Sequence, residues 1–346
     1  MEKGKVSILI PVYNRKNIID ITLESALRQT YKNHEIIIVD NCSTDGTYEY
    51  LCEKYGKKDK VYIYRNSENV GPVKNWIKCF EKSTGEYIKF LWSDDWIADD
   101  FLEKTVKCLE KDKTLGMAMT NICWFTYGKT KESVGIKLVI KRFTNKLLGK
   151  WIHSHTGYYL GRTGIYLHES YIEPFLAGIK SCVSASCALF RRECVSLEDK
   201  IENPFGVDFN RTGAGSDLLQ FLNAFKIKDT FYYIDEKLAS LGVSTNSITV
   251  ENKDLAINYL IAAKYWLDSE MLDSCQSNYY HRQLIWNILE RWGEEGFDII
   301  QKLYGDNYKN MPTNFEMWKW RNQAKIENIS RKLAYWLKLK EEPEML

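Results

Sequence analysis

The chain has 346 residues, 45% hydrophobic and 27% charged, a balance that fits a soluble globular protein of one large domain with an appendage or two modest domains. Forty-eight basic residues against 46 acidic ones leave a net charge of +2, too little to grip a nucleic-acid backbone, so no nucleic-acid partner is expected. Nine cysteines, an odd number with no C-x-x-C pair, argue for reduced thiols in the cytoplasm rather than a zinc site or disulfide framework, and no stretch approaches the roughly 20 apolar residues of a membrane span.

In chain order, the first predicted strand is the β-branched run Val6 to Ile10, stopped by Pro11. A second is Glu35 to Val39, ending at Asp40, and Asp45-Gly46-Thr47 opens the helix after it with Asp45 as N-cap candidate. A third run is Val61 to Tyr64. Beyond Gly71, Val73, Trp76, Ile77 and Phe80 fall on one helical face, and Tyr87 to Leu91 forms the fourth run. Near-continuous apolar runs predict strands covered on both faces. Alternation with helices predicts right-handed crossovers and a doubly wound, mostly parallel α/β sheet. Residues 126–180 are less regular and rich in aromatics and histidines, and from Asn252 onward the pattern is helical with no convincing strand.

Ligands of such sheets bind at the carboxyl ends of the strands. The first run exits into Pro11-Val12-Tyr13-Asn14-Arg15, the second into Asp40, and the fourth into Trp92-Ser93-Asp94-Asp95. An aromatic ring, a lone carboxylate and a carboxylate pair on one sheet edge suit a nucleoside diphosphate with a hard divalent cation. Each piece alone also fits a packed ring, a helix cap or a solvated turn. Their joint placement at successive strand ends favours the ligand.

Four segments in order, VSILIPVYNR, EIIIVDNCSTDGT, ENVGPVKNW and GEYIKFLWSDDW, resemble the nucleotide-binding half of family 2 glycosyltransferases, which have the GT-A fold. The resemblance implies an inverting transfer of a sugar from a nucleotide-sugar donor, UDP-linked in the common case, to a glycan or lipid-linked glycan in polysaccharide, O-antigen or capsule synthesis. It implies a nucleoside held by Pro11, Val12, Tyr13, Asn14, Arg15 and Asp40, with Asn69, Gly71, Lys74, Asn75, Ser93 and Asp94 completing the donor site. Mn²⁺ or Mg²⁺ is expected on Asp94 and Asp95. Two departures stand out. Trp92 occupies the first position of the common Asp-x-Asp-Asp motif, and Gly242 to Ser247 lacks the family's Arg-x-His.

Inverting transfer needs a carboxylate to take the acceptor's proton. In the family it follows an Arg-Arg pair and opens a helix, which points to Asp217 after Arg191-Arg192, with Asp208 as runner-up. Trp151, His153, His155, Tyr158 and Arg191 are the acceptor-side candidates, ordinary packing of a long insert being the alternative for the aromatic and histidine cluster. The expected division is a GT-A domain over 1–250, with halves 1–120 and 121–250, and a helical extension over 251–346. In that extension Trp318, Trp320, Tyr335 and Trp336 interleave with lysines and arginines, a pattern that suits either packing on the chain's own domain or peripheral contact with the inner face of a membrane. A sugar-phosphate nucleotidyltransferase would need a Gly-rich basic loop where VYNRKN stands, and a non-catalytic relative would be expected to have lost Asp94-Asp95.

Overall fold

The computed structural model describes residues 1–126, 163–176, 184–197, 204–206, 212–243, 255–269, 274–305, 311–322, 325–326 and 344–345. Strands β1 (Glu2–Val12), β2 (His34–Asp40), β3 (Val61–Arg65) and β4 (Gly85–Phe90) form a parallel block in the spatial order β3-β2-β1-β4. Helices α1 (Ile19–Leu27), α2 (Thr47–Tyr55) and α3 (Pro72–Lys82) make the crossovers. Every residue of β2 is buried, as a strand covered on both faces requires. Pro11 does not end β1. It pairs in register with Val39, because a proline costs a strand only the one amide hydrogen. Gly46 is the residue before α2, and Asp45 still supplies the capping carboxylate, its Oδ1 accepting from the Thr47 amide at 3.0 Å. On α3, Val73 and Trp76 are buried whereas Ile77 and Phe80 are half-buried.

Beyond β4 the sheet becomes mixed. Strand β5 (Trp96–Ile97) and helix α4 (Phe101–Lys111) lead into β6 (Leu115–Thr126). Then come β7 (Gly164–Leu167), α5 (Glu169–Leu176), β8 (Ala188–Arg191), α6 (Ser216–Ile227) and β9 (Thr230–Val243). Strand β8 is antiparallel to both β4 and β6, and β9 runs parallel to β6. The two-residue strand β10 (Glu344–Met345) lies beside Phe125 and Thr126, in a stretch where no convincing strand is expected.

Three helices follow the sheet: α7 (Leu255–Ser269), α8 (Ser274–Trp292) and α9 (Glu295–Tyr304). Their buried side chains, among them Ile261, Trp266, Leu284 and Ile288, join one continuous hydrophobic cluster with Phe221 and Leu222 of α6 and the strands of the sheet. The Trp266 indole N–H donates to the Leu222 carbonyl at 2.9 Å and fixes α7 along α6. Residues 314–322 add a further helical stretch.

Candidate active site

The carboxyl ends of β1, β2 and β4 meet along one edge. Asp40 closes β2 fully buried, its Oδ2 accepting from the Ser43 amide at 2.9 Å and lying 3.5 Å from Arg65 Nε. Its Oδ1 is buried with no hydrogen-bond partner, an arrangement that costs energy until a donor reaches it. Just above, Tyr13 is 41% exposed and offers an aromatic face. Asn14 sits at φ 52, a left-handed conformation that asparagine tolerates, and its Oδ1 accepts from the Thr44 amide at 2.9 Å. That bond, together with the Asn14 amide's donation to Ser43 Oγ at 2.9 Å, ties the first strand exit to the second. Pro11 and Val12 are buried beneath it.

A second cluster lies beside the first. Asp95 is buried; its Oδ1 accepts from the Gly242 amide of β9 at 2.9 Å, and its Oδ2 has no hydrogen-bond partner. Burial, then the charge of neighbouring Asp94, push the Asp95 carboxyl up to about 8, against the pull of Ser186 and the Gly242 amide. Asp94 is also raised by burial, opposed by Arg15, whose guanidinium stands 3.9 Å from Asp94 Oδ2. The Arg15 Nε is itself buried and unpartnered. Two adjacent carboxylates that resist joint ionisation, one with an orphan oxygen, are fitted to a hard dication. Among the described residues no group of three or more His, Cys, Asp or Glu gathers around a common point, so oxygens of a diphosphate or water would complete such a shell. Ser93 is buried next to the pair and Lys74 is exposed on α3.

The Trp92 ring packs on Trp76 of α3, with ring centroids 4.5 Å apart. The other side of Trp76 meets the loop that enters α6, where a Cβ on Gly213 would stand 2.7 Å from the indole and φ is +72°. Trp92 thus reaches the α6 loop through Trp76, an aromatic pair between the end of β4 and that loop. Past that loop, Asp217 lies half-buried in the first turn of α6. Its Oδ1 accepts from the amides of Gly215 and Leu218 at 3.1 and 2.9 Å, and its Oδ2 from the Tyr259 hydroxyl at 3.0 Å. Burial pushes this carboxyl up to about 7, with Tyr259 the foremost of the bonds opposing it.

Two residues expected at the site are engaged elsewhere. Arg191 pairs with Tyr87 near the start of β4 and donates to the carbonyls of Leu109, Asp112 and Leu115, so antiparallel β8 carries it to the opposite edge of the sheet. Asn75 is buried, donating to the Val39 carbonyl at 3.0 Å and accepting from Asn66 at 2.9 Å, so both halves of its amide are spent inside the fold. Asn69 shares that network, its Oδ1 accepting from Asn41 Nδ2 at 2.7 Å and the Gly71 amide at 3.0 Å, and Gly71 supplies the positive φ that starts α3. Trp151, His153, His155, Tyr158 and Asp208 lie outside the described residues.

The sequence reading passed over Arg65, Ser186 and Tyr259. Arg65 follows the third apolar run directly, so the strand-end rule applied to that run points to it. Ser186 and Tyr259 carry no comparable local signal.

Comparison with known proteins gives the family and the fold. A Glycosyl transferase family 2 pattern matches residues 7–196. Over 106 residues the chain is 40% identical to the putative teichuronic acid biosynthesis glycosyltransferase TuaG of Bacillus subtilis, covering 30% of this chain and 42% of that protein. Over 135 residues it is 36% identical to the putative glycosyltransferase EpsH of the same organism, covering 38% of each. The chain therefore spans less than half the length of these relatives. The crystal structure of S. aureus TarS 1–349 in complex with UDP-GlcNAc superposes with a TM-score of 0.61 at 14% identity, covering 96% of this chain and 92% of that one. That likeness shows the shared GT-A architecture, helical C-terminal segment included, while the matched pattern spans more than half of this sequence and fixes the family. The chain is a member of glycosyl transferase family 2.

Proposed function

We propose that this glycosyltransferase moves a sugar from a UDP-sugar, with inversion and with the help of Mn²⁺ or Mg²⁺, onto a glycan or lipid-linked glycan of a bacterial surface polysaccharide such as O-antigen or capsule. The observation that carries the reading is the pair of orphan carboxylate oxygens at the end of β2 and beyond the end of β4, the two strands that flank β1. Asp40 Oδ1 awaits an N–H or hydroxyl donor, as a nucleoside presents, and Asp95 Oδ2 awaits a cation. Tyr13 would cover the base, Arg15 would face the diphosphate, and Asp94 with Asp95 would hold the metal. When bound, the metal supplies charge neutralisation on the departing diphosphate. Asp217 takes the proton of the attacking hydroxyl as the bond from that oxygen to the anomeric carbon forms and the bond to the diphosphate breaks. In this reading 1–120 is the donor half, 121–250 the acceptor half, and the helices from 251 onward brace the latter.

A thermal-shift series tests the donor. UDP with Mn²⁺ is expected to raise Tm, since a ligand at a hundredfold excess over Kd stabilises by about 2.7 kcal/mol. A rise with dTDP and none with UDP would overturn the UDP assignment, and no rise with either would overturn the nucleotide site.

We also propose a cytoplasmic enzyme that touches the inner face of the membrane through its C-terminal helices. No helix among the described residues is long and apolar enough to cross a membrane. The aromatic stripe divides. Trp320 is buried against Trp286, whereas Phe315 and Trp318 stack 6.1 Å apart and are 70% and 62% exposed, beside exposed Lys319 and Lys325. An exposed aromatic pair flanked by lysines suits an anionic interface. The double variant F315E/W318E is expected to leave anionic liposomes in a flotation assay that retains the wild type. Equal retention of the two would sink the membrane reading.

A further inference from the structure

The helix that follows the sheet reaches back to the carboxylate in α6. From α7, the Tyr259 hydroxyl donates to Asp217 Oδ2 at 3.0 Å, and one residue earlier Asn258 Nδ2 donates to Thr212 Oγ1 at 3.4 Å, at the head of the same loop. The two bonds brace both ends of the segment 212–217. Apolar packing below them, with Leu260, Ile261, Trp266 and Leu267 in the shared core, holds α7 in place along its length.

The count of lone pairs on Asp217 gives Tyr259 a particular task. An ionised carboxylate only accepts, with about two acceptor positions on each oxygen. Both positions on Oδ1 are taken by the Gly215 and Leu218 amides. Among the described residues Oδ2 holds one hydrogen bond, from Tyr259, which leaves one position open. The open position is where a proton from an incoming hydroxyl can be received, and its direction is set by where the phenol sits.

We infer that Tyr259 is a positioning residue for transfer, its hydroxyl fixing Asp217 Oδ2 and keeping that carboxylate ionised near neutral pH. The inference rests on the reading of Asp217 as the base. It makes the helical segment part of the catalytic apparatus, through a single hydrogen bond from outside the domain that carries the donor site. The bond opposes the burial that raises the Asp217 carboxyl. Losing a hydrogen bond to the charged form should therefore raise that carboxyl by about one pH unit or more.

The test is aspartate ¹³Cγ NMR titration of the full-length protein, with the Asp217 resonance assigned by its disappearance in Asp217→Asn. In Tyr259→Phe its midpoint is expected to move up by about one unit while the other aspartates stay in place. Installing 3-fluorotyrosine at 259, a stronger donor of nearly the same volume, should move it down. In parallel, UDP release from UDP-GlcNAc with Mn²⁺ and p-nitrophenyl glycoside acceptors is followed from pH 6 to 9.5. Tyr259→Phe should lose about tenfold more rate at pH 6 than at pH 9.5, because a smaller ionised fraction adds to the lost orientation only at low pH. An unmoved Asp217 midpoint in both Tyr259 proteins, or an equal loss of rate at every pH, overturns the inference. Undiminished transfer by Asp217→Asn would instead remove the base reading, while a moved midpoint would still establish the link from Tyr259 to Asp217.

Discussion

Asp217→Asn is expected to lower transfer by about 10²–10⁴-fold, the usual contribution of general-base catalysis. The amide keeps an oxygen for the Gly215 and Leu218 amides and cannot take a proton at neutral pH. Donor binding should stay as it was, because Asp40, Asp94 and Asp95 belong to other strand ends. The pH dependence gives a second check. A base whose carboxyl stands at about 7 is half ionised there, so wild-type kcat/KM should fall about tenfold per unit below pH 7. Stability should run the other way. A carboxyl raised in the folded state binds its proton more tightly there than in the unfolded chain, so ionising it costs stability as pH climbs from about 4 to 7. Asp217→Asn should therefore unfold no more easily than the wild type at pH 7.5 in a denaturant titration, which separates lost chemistry from lost fold. Wild-type rates in this variant, or retention at the anomeric carbon of the product, would end the single-displacement mechanism.

The second large effect is expected at Asp95. Asp95→Asn preserves an acceptor for the Gly242 amide and removes the charge that a dication needs. Charge stabilisation by a bound metal is worth several kcal/mol in the transition state, so transfer should fall by about 10²–10³-fold, with Asp94→Ala nearly as damaging. The protein itself should be at least as stable above pH 8, where the wild-type pair is forced to ionise in a buried setting. EDTA should silence the wild type, and Mn²⁺ should restore it. Activity that survives chelation would show that Asp94 and Asp95 serve the donor without a metal.

Much of the edge where β1, β2 and β4 end was legible from the order of apolar runs, because buried parallel strands must be nearly continuous apolar runs and their ends are where polar residues gather. Asp40, Tyr13 and the Asp94-Asp95 pair all fall there. Arg191 shows where that logic stops. Its neighbours place it on a strand, yet only the antiparallel pairing of β8 with β4 determines which edge it reaches, and strand direction has no local signature. Asn75 reads like a ligand for a similar reason. A buried amide bonding to backbone and an amide awaiting substrate look alike in sequence, and the difference lies in Val39 and Asn66. Tyr259 falls in a stretch that reads from sequence only as helical. Its partner lies 42 residues away, and nothing short of the packing of α7 on α6 brings them together.

That packing also bears on how enzymes of this build can diversify. Because Trp266, Leu284 and Ile288 share one core with Phe221 and Leu222, helices α7 and α8 are not a detachable module. Each such side chain contributes about 1.5–3 kcal/mol when fully buried, so exchanging the helices between relatives without recutting the facing side of α6 would leave voids or clashes costing more than a typical margin of stability. Recombination at residue 250 should then yield mostly insoluble chimeras. New acceptor preferences would arise by point changes and loop insertions on a retained chassis.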